Sequence, residues 1–502
     1  MFAILIALLM GAVLPLAFSP FNLYSLAFIS PAVLLYQWQH STPRQAFAKG
    51  MFFGLGFFGA GVSWVYISIH HYGNAAPLVA GLITFAMICF LSLGPATQGY
   101  VLVRVFNKNN PLTFCLAAFP ATWVIWEWLR SLPLNGFPWL FLGYTQLATP
   151  LRGYAALFGV YGISLLVALI SGGLVIICQR QFKNIKIWTL CILIILFVIG
   201  WTLTGKHWTK ASGNPLPVTI VQANIEQSVK WKPGEFEKIV QTYQNLTQGH
   251  WQKSRLIIWP EASLPVFPQQ IPKLLQQINQ TALSNNSTLM LGILLGNPQQ
   301  GTYYNGIMLL GNNQGQYKKR HLVPFGEYTP LKKIFSFLIH YWQIPMSDFS
   351  AGPAIANLLT VENIKIAPFI CYEIAYPGEV LKYSAGSNLI VNISDDSWFG
   401  KSVASVQQAE MTRLRALETG RFVLLGANTG VTGVVDPQGA FASLLPLYHS
   451  GTLDTQVTPM QGKTPLMIWG YIPLIVIIFL LLLGSVNVTE KLRRVFPYWW
   501  RR

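Results

Sequence analysis

IKIAPFICYE (residues 364–373) and SNLIVNIS (387–394) decide how the polar half of this chain is read. Each is a short run of apolar and β-branched residues bounded by polar ones, the mark of a buried strand. Six further runs have the same character: VTIVQANI (218–225), RLIIWPE (255–261), TLMLGILL (288–295), YNGIMLL (304–310), RFVLLGANT (421–429) and TGVVDP (432–437). Between them FEKIVQTYQNLTQ (236–248), LLQQINQTALSN (274–285) and VQQAEMTRLRALETG (406–420) carry helical periodicity, and Gly420 is placed to stop the last. Strands alternating with helices predict an α/β domain over residues 207–465, with a sheet sandwiched between helix layers. This segment is long enough to bury a core of its own. It holds no internal repeat, low-complexity tract or glycine-rich phosphate loop.

Outside that domain the chain changes solvent. Of its 502 residues 52% are hydrophobic and only 10% are charged, the composition of an integral membrane protein. Apolar stretches at about 2–18, 22–38, 50–70, 77–103, 112–129, 155–178, 187–205 and 466–486 approach the ~20 residues that cross hydrocarbon. Eight transmembrane helices are therefore expected, seven within 1–206 and one within 466–502. The first lacks a basic leader and is followed at once by further spans, so it reads as a retained helix rather than a signal peptide.

The net charge of +17 is a topology signal. Only two acidic residues, Glu127 and Glu490, fall outside the 207–465 domain, whereas Arg44, Lys49, Arg104, Lys108, Arg180, Lys183, Lys186 and the basic C-terminal tail lie on one side of alternating spans. Positive loops stay inside. Both termini are thus expected in the cytoplasm and the large domain outside. No basic patch with interleaved aromatics marks the domain, and no nucleic-acid partner is expected.

Of five cysteines, Cys89, Cys115, Cys178 and Cys191 lie within or beside apolar runs, and Cys371 alone sits in the polar domain. It has no neighbour there for a disulfide. It is either an inert packed thiol or a nucleophile. Two charged residues share its placement at or near strand ends, where α/β sites form. Glu261 closes LIIWPE, and Lys319 lies in YKKRHLVPFGEYTP beyond YNGIMLL. A carboxylate can take a thiol proton, and an ammonium can stabilise a thiolate or an oxyanion. Together the three could run acyl transfer through a thioester. Singly, Glu261 could be a helix N-terminal carboxylate and Lys319 part of a solvated run.

WPEAS, KKRHLVPFGEYTP, CYE and NISDDSWFG occur in an order that resembles the Glu–Lys–Cys set of the nitrilase superfamily. With seven spans before such a domain and one after, nearly the whole chain resembles the apolipoprotein N-acyltransferase family of Gram-negative bacteria. NGFPWLFLGYTQ (135–146), NIEQSVKW (224–231), FGKS (399–402) and GKTPLMIWG (462–470) extend the likeness. The resemblance implies a nitrilase-like α/β sandwich on an eight-helix bundle, in the inner membrane with the domain in the periplasm. It implies Glu261 as general base, Lys319 as oxyanion and thiolate stabiliser and Cys371 as acyl-accepting nucleophile. Glu327, Tyr372 and Glu373 match supporting positions, and Trp231 and Trp139 match aromatic positions near the substrate entrance. The acyl donor would be a phospholipid, typically phosphatidylethanolamine, and the acceptor a diacylated apolipoprotein. No cofactor or metal is implied, and His207, His250, His321, His340 and His449 lack ligand spacing.

Two other functions are compatible with parts of this pattern. One is a membrane-tethered amidase or nitrilase acting on a small C–N substrate. The other is a transporter or receptor with a ligand-binding outer domain, although its spans would carry almost no ionisable residue beyond Glu127. A last expectation concerns KKIFSFLIHYWQIPMSDF (332–349), which could be a core helix or a lid lying against the bilayer.

Overall fold

The computed structural model describes the whole chain except residues 74, 107, 109, 133–135, 180–182, 233, 325, 329–348, 355–356 and 486–502. The expected core helix or lid at 332–349 lies almost entirely outside the described residues. The chain divides into two compact units. One comprises Met1–Ser63, Leu82–Lys206 and the C-terminal stretch from Trp469; the other comprises Trp64–Gly81 and His207–Ile468.

The first unit is helical. Pro77–Val105, Pro111–Arg130, Pro150–Cys178 and Ile185–Thr204 are long and apolar enough to cross a membrane. Pro43–Gly61 would count as a fifth span only if joined to Val65–Tyr72, a helix of the second unit, and Phe2–Ala17 and Ile472–Ser485 are shorter apolar helices. These coincide with expected positions, but among the described residues length and apolarity alone support four or five spans rather than eight. Small residues let the backbones meet. A Cβ on Gly11 would strike the backbone carbonyl of Phe53, and one on Gly56 that of Leu8. Where lipid removes the hydrophobic drive between helices, such close approach is what holds them.

The second unit is built from two six-stranded sheets, with a small two-stranded pairing of Lys210–Ala211 and Met460–Gln461 beside them. We number its strands β1 (Leu216–Gln222), β2 (Leu256–Ile258), β3 (Thr288–Asn297), β4 (Thr302–Gly311), β5 (Gly315–Lys318), β6 (Leu359–Val361), β7 (Ile364–Ile370), β8 (Leu389–Ser394), β9 (Val423–Ala427), β10 (Gly433–Val435), β11 (Phe441–Leu444) and β12 (Gly451–Val457). One sheet runs β12-β1-β2-β3-β4-β5, the other β11-β10-β9-β8-β7-β6. Their centres are parallel: β1, β2 and β3 in one, β7, β8 and β9 in the other.

Period-2 alternation assigns the faces. Ile257 and Val221 join the apolar cluster beneath helices Phe236–Gln248 and Pro272–Ser284. Their neighbours Ile258 and Ile220 point the other way, onto Gly426 of β9, where an added Cβ would lie 3.2 and 3.3 Å from their methyl groups. Gly426 thus lets the sheets meet at their centre. On the outer face of the second sheet, Phe369, Ile390, Val423 and Leu425 pack against Val380, Ala409 and Ala416 from helices Pro377–Tyr383 and Ala404–Thr419. The domain is a four-layered α/β sandwich. Where the strand pattern suggested one sheet between helix layers, there are two face to face, because alternation fixes which residues are buried but not what covers them.

Trp64–Gly81, which lies between membrane helices in the sequence, belongs to this unit. The Ser68 hydroxyl donates to Trp398 O at 2.7 Å, and the Trp64 and Tyr72 rings lie 5.0 and 6.1 Å from those of Phe399 and Trp398.

Candidate active site

Chemistry gathers at C-terminal strand ends, those of the parallel centres for Glu261, Cys371 and Asp395 and that of the antiparallel edge strand β5 for Lys319. Glu261 follows β2, Lys319 follows β5, Cys371 follows β7 and Asp395 follows β8. All four are buried, Lys319 to 1% exposure and Cys371 to 7%. Ala262 and Cys371 take φ values of 46° and 54°. A non-glycine residue in this left-handed region costs on the order of 1–3 kcal/mol and persists only where its surroundings hold it.

Glu373 does the holding at Cys371. Its carboxylate accepts from Ile370 N at 2.8 Å, from Arg320 N and His321 N at 2.8 and 3.2 Å, and from the Tyr317 hydroxyl at 2.7 Å. One buried carboxylate thereby ties the turn after β7 to the segment after β5. Burial raises its pKa, and Arg320 works against that rise. Tyr372 is buried beside it, its ring edge-on to Tyr376 at 5.2 Å.

Lys319 lies between two carboxylates. Its ammonium is 2.8 Å from Glu327 Oε1 and 3.4 Å from Glu261 Oε1. Asn305 Nδ2 donates to the same two oxygens, at 3.0 and 2.6 Å. Glu327 Oε2 accepts from Val323 N at 2.8 Å, and Glu261 Oε2 from Asp395 N at 2.8 Å. Burial opposes the ammonium, but Glu327 and Glu261 outweigh it and hold Lys319 above the ordinary lysine value, fully charged.

Burial pushes the Cys371 thiol well above its usual range; Glu261 and Asp396 push the same way, while Lys319 and a hydrogen bond with Ser394 pull it down. At neutral pH the resting set is a thiol, not a thiolate, beside a carboxylate and an ammonium. Such a set can transfer the thiol proton to the carboxylate as the sulfur attacks, with the ammonium placed to meet negative charge on the attacked oxygen. Among the described residues no three His, Cys, Asp or Glu side chains converge as a metal site would require.

The structure gathers Glu261, Lys319, Cys371, Glu327 and Glu373 in one cluster with Tyr372 at its edge. Trp231 ends the short helix Gln227–Lys230 and is 48% exposed. With its amide turned to satisfy its neighbours, Gln227 accepts from the indole N–H groups of Trp231 and Trp398, at 3.1 and 3.2 Å, and donates to Asp395 at 3.1 Å. Trp139 is fully buried in the helical unit, stacked on Phe137 at 5.8 Å. Sequence reasoning passed over Lys230, Asn305 and Asp395. Two of them left a signal: Asn305 as an amide inside the apolar strand YNGIMLL, and Asp395 in an acidic pair closing SNLIVNIS.

Residues 217–463 match the carbon-nitrogen hydrolase family, and residues 10–173 match the apolipoprotein N-acyltransferase N-terminal domain. The polar unit is thus a domain of the carbon–nitrogen hydrolase class, carried by a membrane portion. A protein of Coxiella burnetii named apolipoprotein N-acyltransferase is 47% identical over 479 residues, covering 95% of this chain and 99% of its own. One of that name from Azotobacter vinelandii is 38% identical over 502 residues, covering 98% and 96%. The chain belongs to the apolipoprotein N-acyltransferase family. A solved carbon-nitrogen hydrolase from Helicobacter pylori is 14% identical with a TM-score of 0.37, over 57% of this chain and 95% of its own.

Proposed function

We propose that this protein transfers an acyl chain from a membrane phospholipid to the N-terminal amine of diacylglyceryl-cysteine in apolipoproteins, through a thioester on Cys371. The observation that carries the reading is the buried thiol of Cys371, set between the fields of Glu261 and Lys319 in a chain that also bears membrane-spanning helices. In the first half-reaction Glu261 takes the thiol proton while the sulfur attacks the ester carbonyl. Lys319 meets the oxyanion, and the lysophospholipid leaves as its oxygen regains the proton from Glu261. In the second, the lipoprotein amine attacks the thioester, Glu261 accepts a proton from it, and Cys371 departs to be reprotonated.

Phosphatidylethanolamine is the donor in this reading. The division of labour is 1–206 for the first membrane helices, 207–465 for catalysis and 466–502 for the last helix and tail. The membrane is the bacterial inner membrane and the catalytic domain faces the periplasm, which brings both anchored lipids to the same side as the thiol.

Mass spectrometry of the purified protein supplied with phospholipid tests the reading. A fatty-acyl adduct is expected on Cys371, absent in Cys371→Ser and discharged by a diacylated lipopeptide with formation of an amide. Glu261→Gln should slow adduct formation by roughly 10²–10⁴-fold, the usual worth of a positioned base. Release of free fatty acid without amide would instead identify a hydrolase, and absence of any adduct would end the proposal.

A further inference from the structure

Behind Glu261 lies an ion pair that the two half-reactions do not use. Lys230 Nζ and Asp395 Oδ2 are 2.5 Å apart, with side-chain exposures of 0% and 4%. Withdrawing two such charges from water costs several kcal/mol per ion, and an apolar pair of equal volume is often no less stable. Stability alone therefore does not account for them. Their remaining bonds are more informative. Lys230 Nζ donates to the main-chain oxygen of Glu261 at 3.0 Å, and Asp395 N donates to Glu261 Oε2 at 2.8 Å. Asp395 Oδ1 is in turn fixed by the Ser397 hydroxyl at 2.6 Å and by Asn428 Nδ2 at 3.1 Å.

The pair thus grips Glu261 at two points, its backbone and one carboxylate oxygen. Asn305 and Lys319 take the other oxygen. Glu261 follows β2 without a helix to anchor it, and the next residue, Ala262, is in the left-handed region. A carboxylate on such a turn needs outside restraint to keep a fixed orientation near Cys371, whose thiol feels its charge. We propose that Lys230 and Asp395 are positioning residues for Glu261, fixing its main chain and carboxylate plane so that it can take the Cys371 proton. The inference rests on the reading of Glu261 as the base.

The test replaces the charges by near-isosteres, Lys230→Met with Asp395→Asn, leaving the Asp395 backbone N–H in place. Alkylation of Cys371 by iodoacetamide is followed in the full-length protein in detergent micelles, with other cysteines replaced. The rate should fall by about tenfold or more, since small misplacements of a reacting group cost that much. In a Glu261→Gln background the same pair of substitutions should add nothing, because groups acting through one residue are not additive. A wild-type rate in the double variant, or an equal slowing with Glu261→Gln already present, overturns the proposal and leaves the base reading intact. Wild-type alkylation in Glu261→Gln alone ends the base reading and the inference together. Asp395→Asn by itself is judged by the same two criteria if the double variant does not fold.

Discussion

At the scale of single residues, Asp396 sets an expected pH dependence. Its carboxyl is buried, accepts from the Ser394 hydroxyl and stands near Asp395 and Glu261. Burial above all, with the neighbouring carboxylates, pushes its pKa from 3.8 up to about 7. The folded state therefore holds this proton more tightly than the unfolded chain does. Its contribution to stability is full below the unfolded value and is lost as pH rises through the folded one. Asp396→Asn keeps the shape and removes the charge. We expect its thermal midpoint to gain on the wild type as pH rises from 4 to 8, with a limit of ~4 kcal/mol from ~3 pKa units. A difference constant across that range would show that Asp396 does not titrate there. The Ser394 hydroxyl links Asp396 to Cys371, so the same titration should alter the acidity of the thiol.

At the scale of elements, the turn that presents Glu261 rests on a glycine of the next strand. A Cβ on Gly292 of β3 would stand 2.5 Å from Ala262 N and 2.7 Å from Glu261 Cα, and closer still to Pro260 O. Backbone cannot yield as a flexible side chain can. Gly292→Ala should therefore displace Glu261, slowing acylation of Cys371 by about 10²-fold and costing roughly 1–3 kcal/mol of stability. Gly249→Ala, where a Cβ meets nothing within 4 Å, is the control and should change neither. Acyl-enzyme formation and thermal midpoint check both. This element-level dependence marks the limit of what sequence could supply. The strand ends before Glu261 and Cys371 were legible because apolar runs stop there and a carboxylate or a thiol follows, whereas β5, which leads into Lys319, was not among the expected strands. Lys230 was not, since a lysine in QSVK has the pattern of a solvated helix residue, and its burial depends on Asp395, 165 positions away. Asn305 was hidden inside an apolar run, and it bridges Glu261 and Glu327 from β4, two strands away from β2. The pairing of two sheets escaped for the same reason: strand patterns say nothing of which face meets which.

At the scale of the whole molecule, the lysine and arginine distribution makes a claim about sidedness that chemistry can check. Cysteines placed at Asn312, exposed in the catalytic unit, and at Thr489, beyond the last apolar stretch, serve as reporters in a background without native thiols. An impermeant maleimide should label Asn312→Cys in intact spheroplasts and Thr489→Cys only after permeabilisation; the reverse pattern would invert the topology. The segment Trp64–Gly81 has a different bearing on how the molecule can be handled. It comes from between membrane helices in the chain, yet it packs on Trp398 and Phe399, directly after the Asp395–Asp396 pair. The boundaries at which residues 217–463 match their family are therefore not places to cut. A fragment excised there would leave behind the partner of its Trp398–Phe399 segment. Part of what the sequence sets among the membrane helices belongs to the polar unit, and removing the one removes a piece of the other.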